Sequence, residues 1–390
     1  MVILAGETYS DLQAFDGFLA GDLSEIARPV TKWSTRVTHS SQLLRILRRA
    51  IKVASTPPQG PVFLALPMDI LDEEVTPDIR PTSLISRIGA ISTTEAGEIA
   101  RRLVAAHWPM LLVGDGVAAA NAQNELRQLA ELLACPTWGV EFNDLSASFR
   151  DPLFLGLIGH SFGDNTRSLI KDADVVFGIG TPMFPELFPS REPYFQAGAV
   201  VMQIDIDPWE ISKNFPVEVA LQADPKISLA LVIAAVEELL PADRSAIEAR
   251  RCAVIASKEA VRENRQKRYD SVSDSLHFMA PKTLMRTLVE ELPASAIVYD
   301  ESITNTGPLL HYLEPEHSGS YILARGGCIG VGWPGAVGAA FADPDRFIVA
   351  PSGDGSGIFA IQSLWTAAHY RRKVVFLVCN NHSYRILKIN

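Results

Sequence analysis

The residues best equipped for chemistry lie in GDGSGIFAIQSLWTAAHYRRKVVFLVCNN, residues 353–381. An acid, Asp354, stands between Gly353 and Gly355, and an apolar run ends on Asn380 and Asn381. Gly353, Gly355 and Gly357 let backbone come close to a ligand, and the helix expected after Ser356 opens with free N–H groups that suit an anion. A carboxylate inside such a loop repels a diphosphate unless a cation lies between them. Asp354 and Asn381 offer hard oxygens, and with phosphate oxygens and water they make an octahedral set suited to magnesium. The pattern therefore asks for a metal diphosphate. Two other readings stay open. A dinucleotide fingerprint is disfavoured, because the spacing is G-x-G-x-G and no acid ends the second strand to meet a ribose. A purely structural turn would use the glycines for tightness and Asn-Asn as a loop start.

Asp354 and Asn381 are 27 positions apart, so the elements between them must bring them together. Residues 346–352 and 373–379 read as parallel strands joined by GIFAIQSLWTAAHY, one segment of helical length with an apolar face, which makes a βαβ unit. Neighbouring strands would put both residues at the carboxyl edge of the sheet, where open α/β sheets bind ligands. The chain carries its own control. VGDG at 113–116 also ends a strand and precedes a helix, but the following strand, CPTWGV, brings no paired asparagine. Gly114, Asp115 and Gly116 are expected to form a structural turn.

The remaining elements alternate in the same α/β manner. Leu43, Leu47, Ala50 and Ala54 share one face of a predicted helix over 40–55, ahead of the strand PVFLALP. Residues 75–91 read as a linker, and STTE at 92–95 has the form of a capping box. Strands at PMLLVGDG, CPTWGV, ADVVFGIG and AVVMQIDID, with helices between them, imply a parallel sheet. Residues 241–275 are charged, helix-prone and poor in large apolar side chains, which suits a solvated connection. A further α/β stretch begins near 276.

Composition narrows the function. A net charge of −10 and a pI near 5.4 argue against non-specific nucleic-acid binding, so small-molecule partners are expected. Cys135, Cys252, Cys328 and Cys379 lie far apart without C-x-x-C spacing, which suggests neither zinc nor a disulfide framework and suits a cytoplasmic compartment. The longest apolar run, near 229–236, is too short to span a bilayer, and no membrane partner is expected.

GDG followed after 24 intervening residues by NN resembles the thiamine diphosphate binding motif. KWS (32–34), TPPQGPVFLALPMDI (56–70), QIDIDPWEI (203–211), YDESITNT (299–306) and SLWTAAHY (363–370) resemble the thiamine-dependent 2-oxo acid decarboxylase and acetolactate synthase superfamily. Within it the likeness is greatest to the benzoylformate decarboxylases. The resemblance implies three doubly wound parallel-sheet domains, the first and last incomplete. Residues 1–86 would be the second half of a pyrimidine-binding domain, 87–240 a central domain, 241–275 a linker and 276–390 the first half of a diphosphate-binding domain.

By that resemblance Asp354, Asn381 and the Ser383 carbonyl would hold Mg2+, and Gly353, Gly355, Ser356 and Thr304 the diphosphate of thiamine diphosphate. Ile329, on the same segment as Gly327, would prop the cofactor, and Leu387 would face a 2-oxo acid or acyl substrate. A histidine used for proton transfer in the benzoylformate decarboxylases falls at Ala280. The glutamate that protonates the aminopyrimidine is expected outside these residues; Glu7, Glu25, Glu73 and Glu74 read as ordinary exposed acids. The expectation is thus a carbon–carbon lyase whose present chain alone is inactive, and which forms a homodimer or homotetramer when complete. Acetolactate synthase, 2-hydroxyacyl-CoA lyase and a non-catalytic scaffold are the alternatives. A flavin would favour the synthase, and GIGTPMFPELFPS (178–190) carries no flavin signal.

Overall fold

A computed structural model describes residues 1–76, 79–85, 89–140, 143–159, 162–324 and 327–388. The chain divides into two compact units, Met1–Gly89 and Ala90–Asn390. The expected boundary between residues 86 and 87 lies outside the described residues.

In the first unit, β1 (Val2–Glu7), β2 (Trp33–Arg36) and β3 (Val62–Pro67) form a parallel sheet in the order β1-β3-β2. Helix Leu43–Ser55 buries Ala50 and Ala54 and lays Leu43 and Leu47 on the same core, which is the stripe expected from the sequence. One expectation is overturned. Glu7 is buried at 3 % exposure, and its carboxylate takes Arg36 Nε at 2.6 Å and the second guanidinium nitrogen at 2.7 Å. Both residues end strands that flank β3, so the pair closes that sheet edge.

The second unit holds two sheets. The first comprises β4 (Pro109–Val113), β5 (Thr137–Val140), β6 (Phe154–Ile158), β7 (Val175–Ile179), β8 (Val200–Asp205) and β9 (Val219–Gln222). Their order, β6-β5-β4-β7-β8-β9, is the doubly wound order 3-2-1-4-5-6. Every residue of β4 and β7 is buried, as expected for central strands covered by helices on both faces. The capping box forms: Ser92 Oγ accepts the Glu95 N–H at 3.2 Å, and Glu95 accepts the Ser92 N–H at 2.7 Å.

The second sheet comprises β10 (Ile297–Asp300), β11 (Tyr321–Leu323), β12 (Ile348–Gly353) and β13 (Val374–Cys379), parallel and in the order β11-β10-β12-β13. Between the sheets runs a 26-residue helix, Ser245–Asp270. Its solvated face was expected; its anchors were not. Arg250 is buried and donates to the Leu133 and His107 carbonyls, while Lys258 donates to the Phe149 and Asp151 carbonyls. These cations cap carbonyls at chain ends while their aliphatic stems replace the missing apolar side chains. Among the described residues no helix is long and apolar enough to cross a membrane.

Candidate functional site

The candidate site is built at the carboxyl edge of the second sheet. β12 and β13 are adjacent, with Gly353 paired to Cys379. The chain leaves that pair as Asp354 on one side and Asn380 and Asn381 on the other, so 27 positions of sequence collapse to neighbouring strand ends. The connection between them is not one helix. It forms Asp354–Ile358 and Ser363–His369, separated by a turn in which Phe359 N bonds Ser356 O and Ala360 N bonds Gly357 O. Three glycines in five residues favour early termination, since glycine is a poor helix former. The first helix also starts at Asp354 itself, three residues before the expected point.

The side chains at this edge are differently committed. Asp354 is half-buried, and among the described residues nothing donates to its carboxylate. Asn381 is exposed and its Oδ1 accepts the Ser383 N–H at 2.9 Å, while the Ser383 carbonyl accepts the Arg385 N–H at 2.8 Å. Each of these oxygens keeps a second lone pair. Ser383 Oγ is shut off from solvent without a hydrogen-bond partner among the described residues. A shallow cleft is lined by Asn381, Ser383, Arg385 and Lys388, two of them cations. A Cβ built at Gly355 meets nothing within 4 Å, so nothing in the protein requires glycine there. The Ser356 side chain is buried beneath the turn.

These features fit a metal diphosphate. An uncommitted carboxylate, an amide oxygen and a carbonyl are hard ligands that phosphate oxygens and water would complete to six. Among the described residues no group of three or more His, Cys, Asp or Glu side chains is placed to hold a metal, so any site here depends on ligand oxygens.

Two consecutive acids at the end of β10 shape the opposite wall. The sequence reading passed over both, although acids ending a strand in YDES were the available signal. Asp300 is fully buried, and burial pushes its carboxyl above the usual range. It accepts the Ser302 N–H at 2.7 Å, the Ser302 hydroxyl at 2.6 Å and the Tyr321 hydroxyl at 2.8 Å. That grip holds the turn Ile303–Asn305, in which Ile303 has φ +54. A β-branched residue in the left-handed region is strained, and the strain lies beside half-buried Thr304. At the end of β13 burial pushes the Cys379 thiol up to about 11, with Asn305 of the same turn acting against that rise.

Glu301 points the other way, toward the glycine-rich segment, where it accepts the Gly330 N–H at 2.8 Å and the Val331 N–H at 3.0 Å. That segment carries exposed Gly327 and half-buried Ile329; Arg325 and Gly326 lie outside the described residues. Leu387 is 64 % exposed. Thr304, Gly353, Gly355, Ser356, Asp354, Asn381 and Ser383 therefore belong to one sheet edge, with Gly327 and Ile329 on an adjoining wall. Ala280 is buried and caps the helix Pro281–Glu291.

Two family models match the chain. One describes the thiamine pyrophosphate enzyme central domain, over residues 96–232, and the other the C-terminal TPP binding domain, over 271–390. The chain belongs to the thiamine pyrophosphate enzymes. It is 29% identical over 392 residues to benzoylformate decarboxylase from Pseudomonas aeruginosa, covering all of this chain and 70% of that protein. It is 28% identical over 397 residues to the acetolactate synthase large subunit of Haemophilus influenzae, covering all of this chain and 67% of that protein. A solved thiamin diphosphate-dependent enzyme from Mycobacterium smegmatis superposes with a TM-score of 0.82 at 26% identity, over 98% of this chain and 71% of that one. This thiamine pyrophosphate enzyme chain thus spans about two thirds of the length of the curated relatives it matches. The match over 271–390 takes in every residue of the edge described above.

Proposed function

We propose that the chain is the cofactor-binding part of a thiamine diphosphate- and magnesium-dependent carbon–carbon lyase acting on a 2-oxo acid, in the manner of a benzoylformate decarboxylase. The observation that carries this reading is the pairing of Gly353 with Cys379, which sets the uncommitted Asp354 carboxylate beside Asn381 and the open space at Gly355. Asp354, the Asn381 side chain and the Ser383 carbonyl hold magnesium. Gly353, Gly355, Ser356 and Thr304 hold the diphosphate, Ile329 with Gly327 supports the rings, and Leu387 faces substrate. When bound, the cofactor supplies an electron sink for carbon–carbon cleavage. The chain's own residues bind and orient it, and Arg385 and Lys388 bring positive charge toward an anionic substrate.

Proton transfer on the cofactor needs a carboxyl group within hydrogen-bond reach. Of the four glutamates considered in the first unit, Glu7 is paired with Arg36, Glu25 with Arg28, Glu73 accepts the Ser40 hydroxyl, and Glu74 is exposed beyond the helix Met68–Asp72. We therefore assign that role to an acid outside these residues, and infer that the 390-residue chain binds cofactor without turning over substrate. Ile358, Phe359, Trp365, Tyr384 and Leu387 are exposed around the site, which supports a second copy as the covering surface. Four free cysteines suit a reducing, cytoplasmic compartment.

The likeness to acetolactate synthase supports a second reading, condensation of two 2-oxo acids. Against a flavin-bearing version, the crevice between β4 and β7 is filled by its own backbone, since Gly116 N bonds Gly180 O at 2.9 Å. The test is product analysis with benzoylformate and pyruvate in the presence of thiamine diphosphate and magnesium. The active enzyme should release carbon dioxide and benzaldehyde from benzoylformate. Acetolactate from pyruvate, with benzoylformate untouched, would favour the synthase; turnover by these 390 residues alone, lost in Asp354→Ala, would overturn the assignment of the acid elsewhere.

A further inference from the structure

Glu301 is 1 % exposed at the end of β10, and among the described residues its carboxylate meets no cation. Instead Oε1 accepts the Gly330 and Val331 amides, and Oε2 accepts the Ser352 hydroxyl at 3.3 Å. Gly330 and Val331 immediately precede the helix Gly332–Ala342, so the acid lies at that helix's amino end, where aligned peptide dipoles favour a negative charge. The surroundings leave no slack. A Cβ at Gly332 would lie 2.6 Å from the Glu301 Cβ, and one at Gly330, where φ is +92, would lie 2.7 Å from the Phe359 Cβ. The Glu301 backbone is tied to β12 as well: its N–H donates to the Pro351 carbonyl at 2.9 Å, and its carbonyl accepts the Gly353 N–H at 3.4 Å.

One residue thus joins the segment that carries Ile329 to the strand that delivers Asp354. A buried carboxylate is costly, and an apolar side chain would fill the same volume at less expense. Its distinct contribution is geometric, because it fixes two amides of a segment rich in glycine against a strand end. Asp300, one position earlier, faces the other side of the sheet and serves the Ser302–Asn305 turn and β11. The two acids therefore hold different walls.

We infer that Glu301 is a positioning residue for the cofactor: its carboxylate sets the height of the Gly327–Val331 segment, and with it Ile329, relative to the diphosphate turn. The inference rests on the proposed reading of residues 353–356 and Ile329. It separates two parts of one ligand. Loss of Glu301 loosens the grip on the rings of thiamine diphosphate and spares the grip on its diphosphate.

The experiment titrates the 390-residue chain, with magnesium, against thiamine diphosphate and separately against inorganic diphosphate. Tryptophan fluorescence reports both, since Trp333 packs on Gly357. For Glu301→Ala we expect about tenfold weaker binding of thiamine diphosphate, less than about twofold change for inorganic diphosphate, and an unchanged ligand-free melting point. Glu301→Gln keeps an acceptor for the two amides and should restore affinity to within about threefold of the wild type. If the alanine variant melts lower without ligand, Glu301→Asp decides, because it keeps the charge but withdraws it by one methylene; selective weakening toward thiamine diphosphate is again expected. Equal affinities in wild type and variant, or parallel loss of both ligands, would overturn the inference alone. A wild type that binds neither ligand overturns the cofactor reading and the inference with it.

Discussion

The chain contains two Gly-Asp-Gly turns, each at the carboxyl end of a buried parallel strand, and they are put to opposite uses. At 114–116 the turn is spent on the fold. Asp115 accepts the Asn143 N–H at 2.6 Å, the Gly114 carbonyl accepts the Ser146 hydroxyl at 2.6 Å, and a Cβ at Gly116 would lie 2.5 Å from the Gly180 Cα. At 353–355 the acid has no donor among the described residues and the space at Gly355 is open. The same tripeptide is a packed crossing in one sheet and an open turn in the other. What distinguishes them is the neighbouring strand, because Asn380 and Asn381 directly follow β13, whereas β5 ends on Val140 and the sequence after it brings no paired asparagine.

Equivalent substitutions should therefore diverge. Gly116→Ala forces a methyl into the Gly180 backbone and is expected to destabilise the chain by about 2 kcal/mol in denaturant unfolding, with cofactor affinity unchanged. Unaltered stability would mean that the crossing relaxes, and the contrast between the turns would shrink. Gly355→Ala should do the reverse, weakening thiamine diphosphate by about tenfold, or about 1.4 kcal/mol, at constant melting point. A variant that binds as well as the wild type would show that the open space is not where the ligand sits.

A smaller effect sharpens the same contrast at the end of β8, on the edge of the first turn. Burial chiefly, with Asp207 and Glu210 adding to it, pushes the Asp205 carboxyl up to about 6 from 3.8. The folded state thus favours the neutral acid, so stability from this group is present below the unfolded value near 3.8 and is lost as pH rises through about 6. Asp205→Asn stays neutral and keeps an oxygen for the Asp207 N–H, so it should be more stable than the wild type at pH 8 and no more stable at pH 3.5. A gain independent of pH would contradict a titrating acid there.

Much of this contrast was legible in the sequence, because it rests on local pattern. Strands β4, β7, β12 and β13 are short apolar runs, the Ser92–Glu95 cap forms as spelled, and adjacency of β12 and β13 follows from a single βαβ connection. The missing parts were those set by distant packing. β11 is three residues long, β9 four, and β6 contains Gly156 at φ +118, so none has a period long enough to announce itself. The need for glycine at 357 comes from Trp333, on a separate helix, which occupies the place of a Cβ there. Glu7 read as exposed because its partner, Arg36, lies 29 positions away on a strand that pairs only through β3. Asp300 and Glu301 were hidden for a similar reason: their partners are backbone amides and hydroxyls that carry no sequence signature.

The central claim is that Asp354, and not the acid in the matching turn, holds the metal for the cofactor. Calorimetric titration of thiamine diphosphate into the chain, with magnesium and then with chelator, tests it on the wild type, Asp354→Ala and Asp115→Ala. The account predicts saturable binding that needs magnesium, retained in Asp115→Ala and weakened at least about 100-fold, or about 2.7 kcal/mol, in Asp354→Ala. Binding that survives Asp354→Ala, or that ignores the metal, would contradict it.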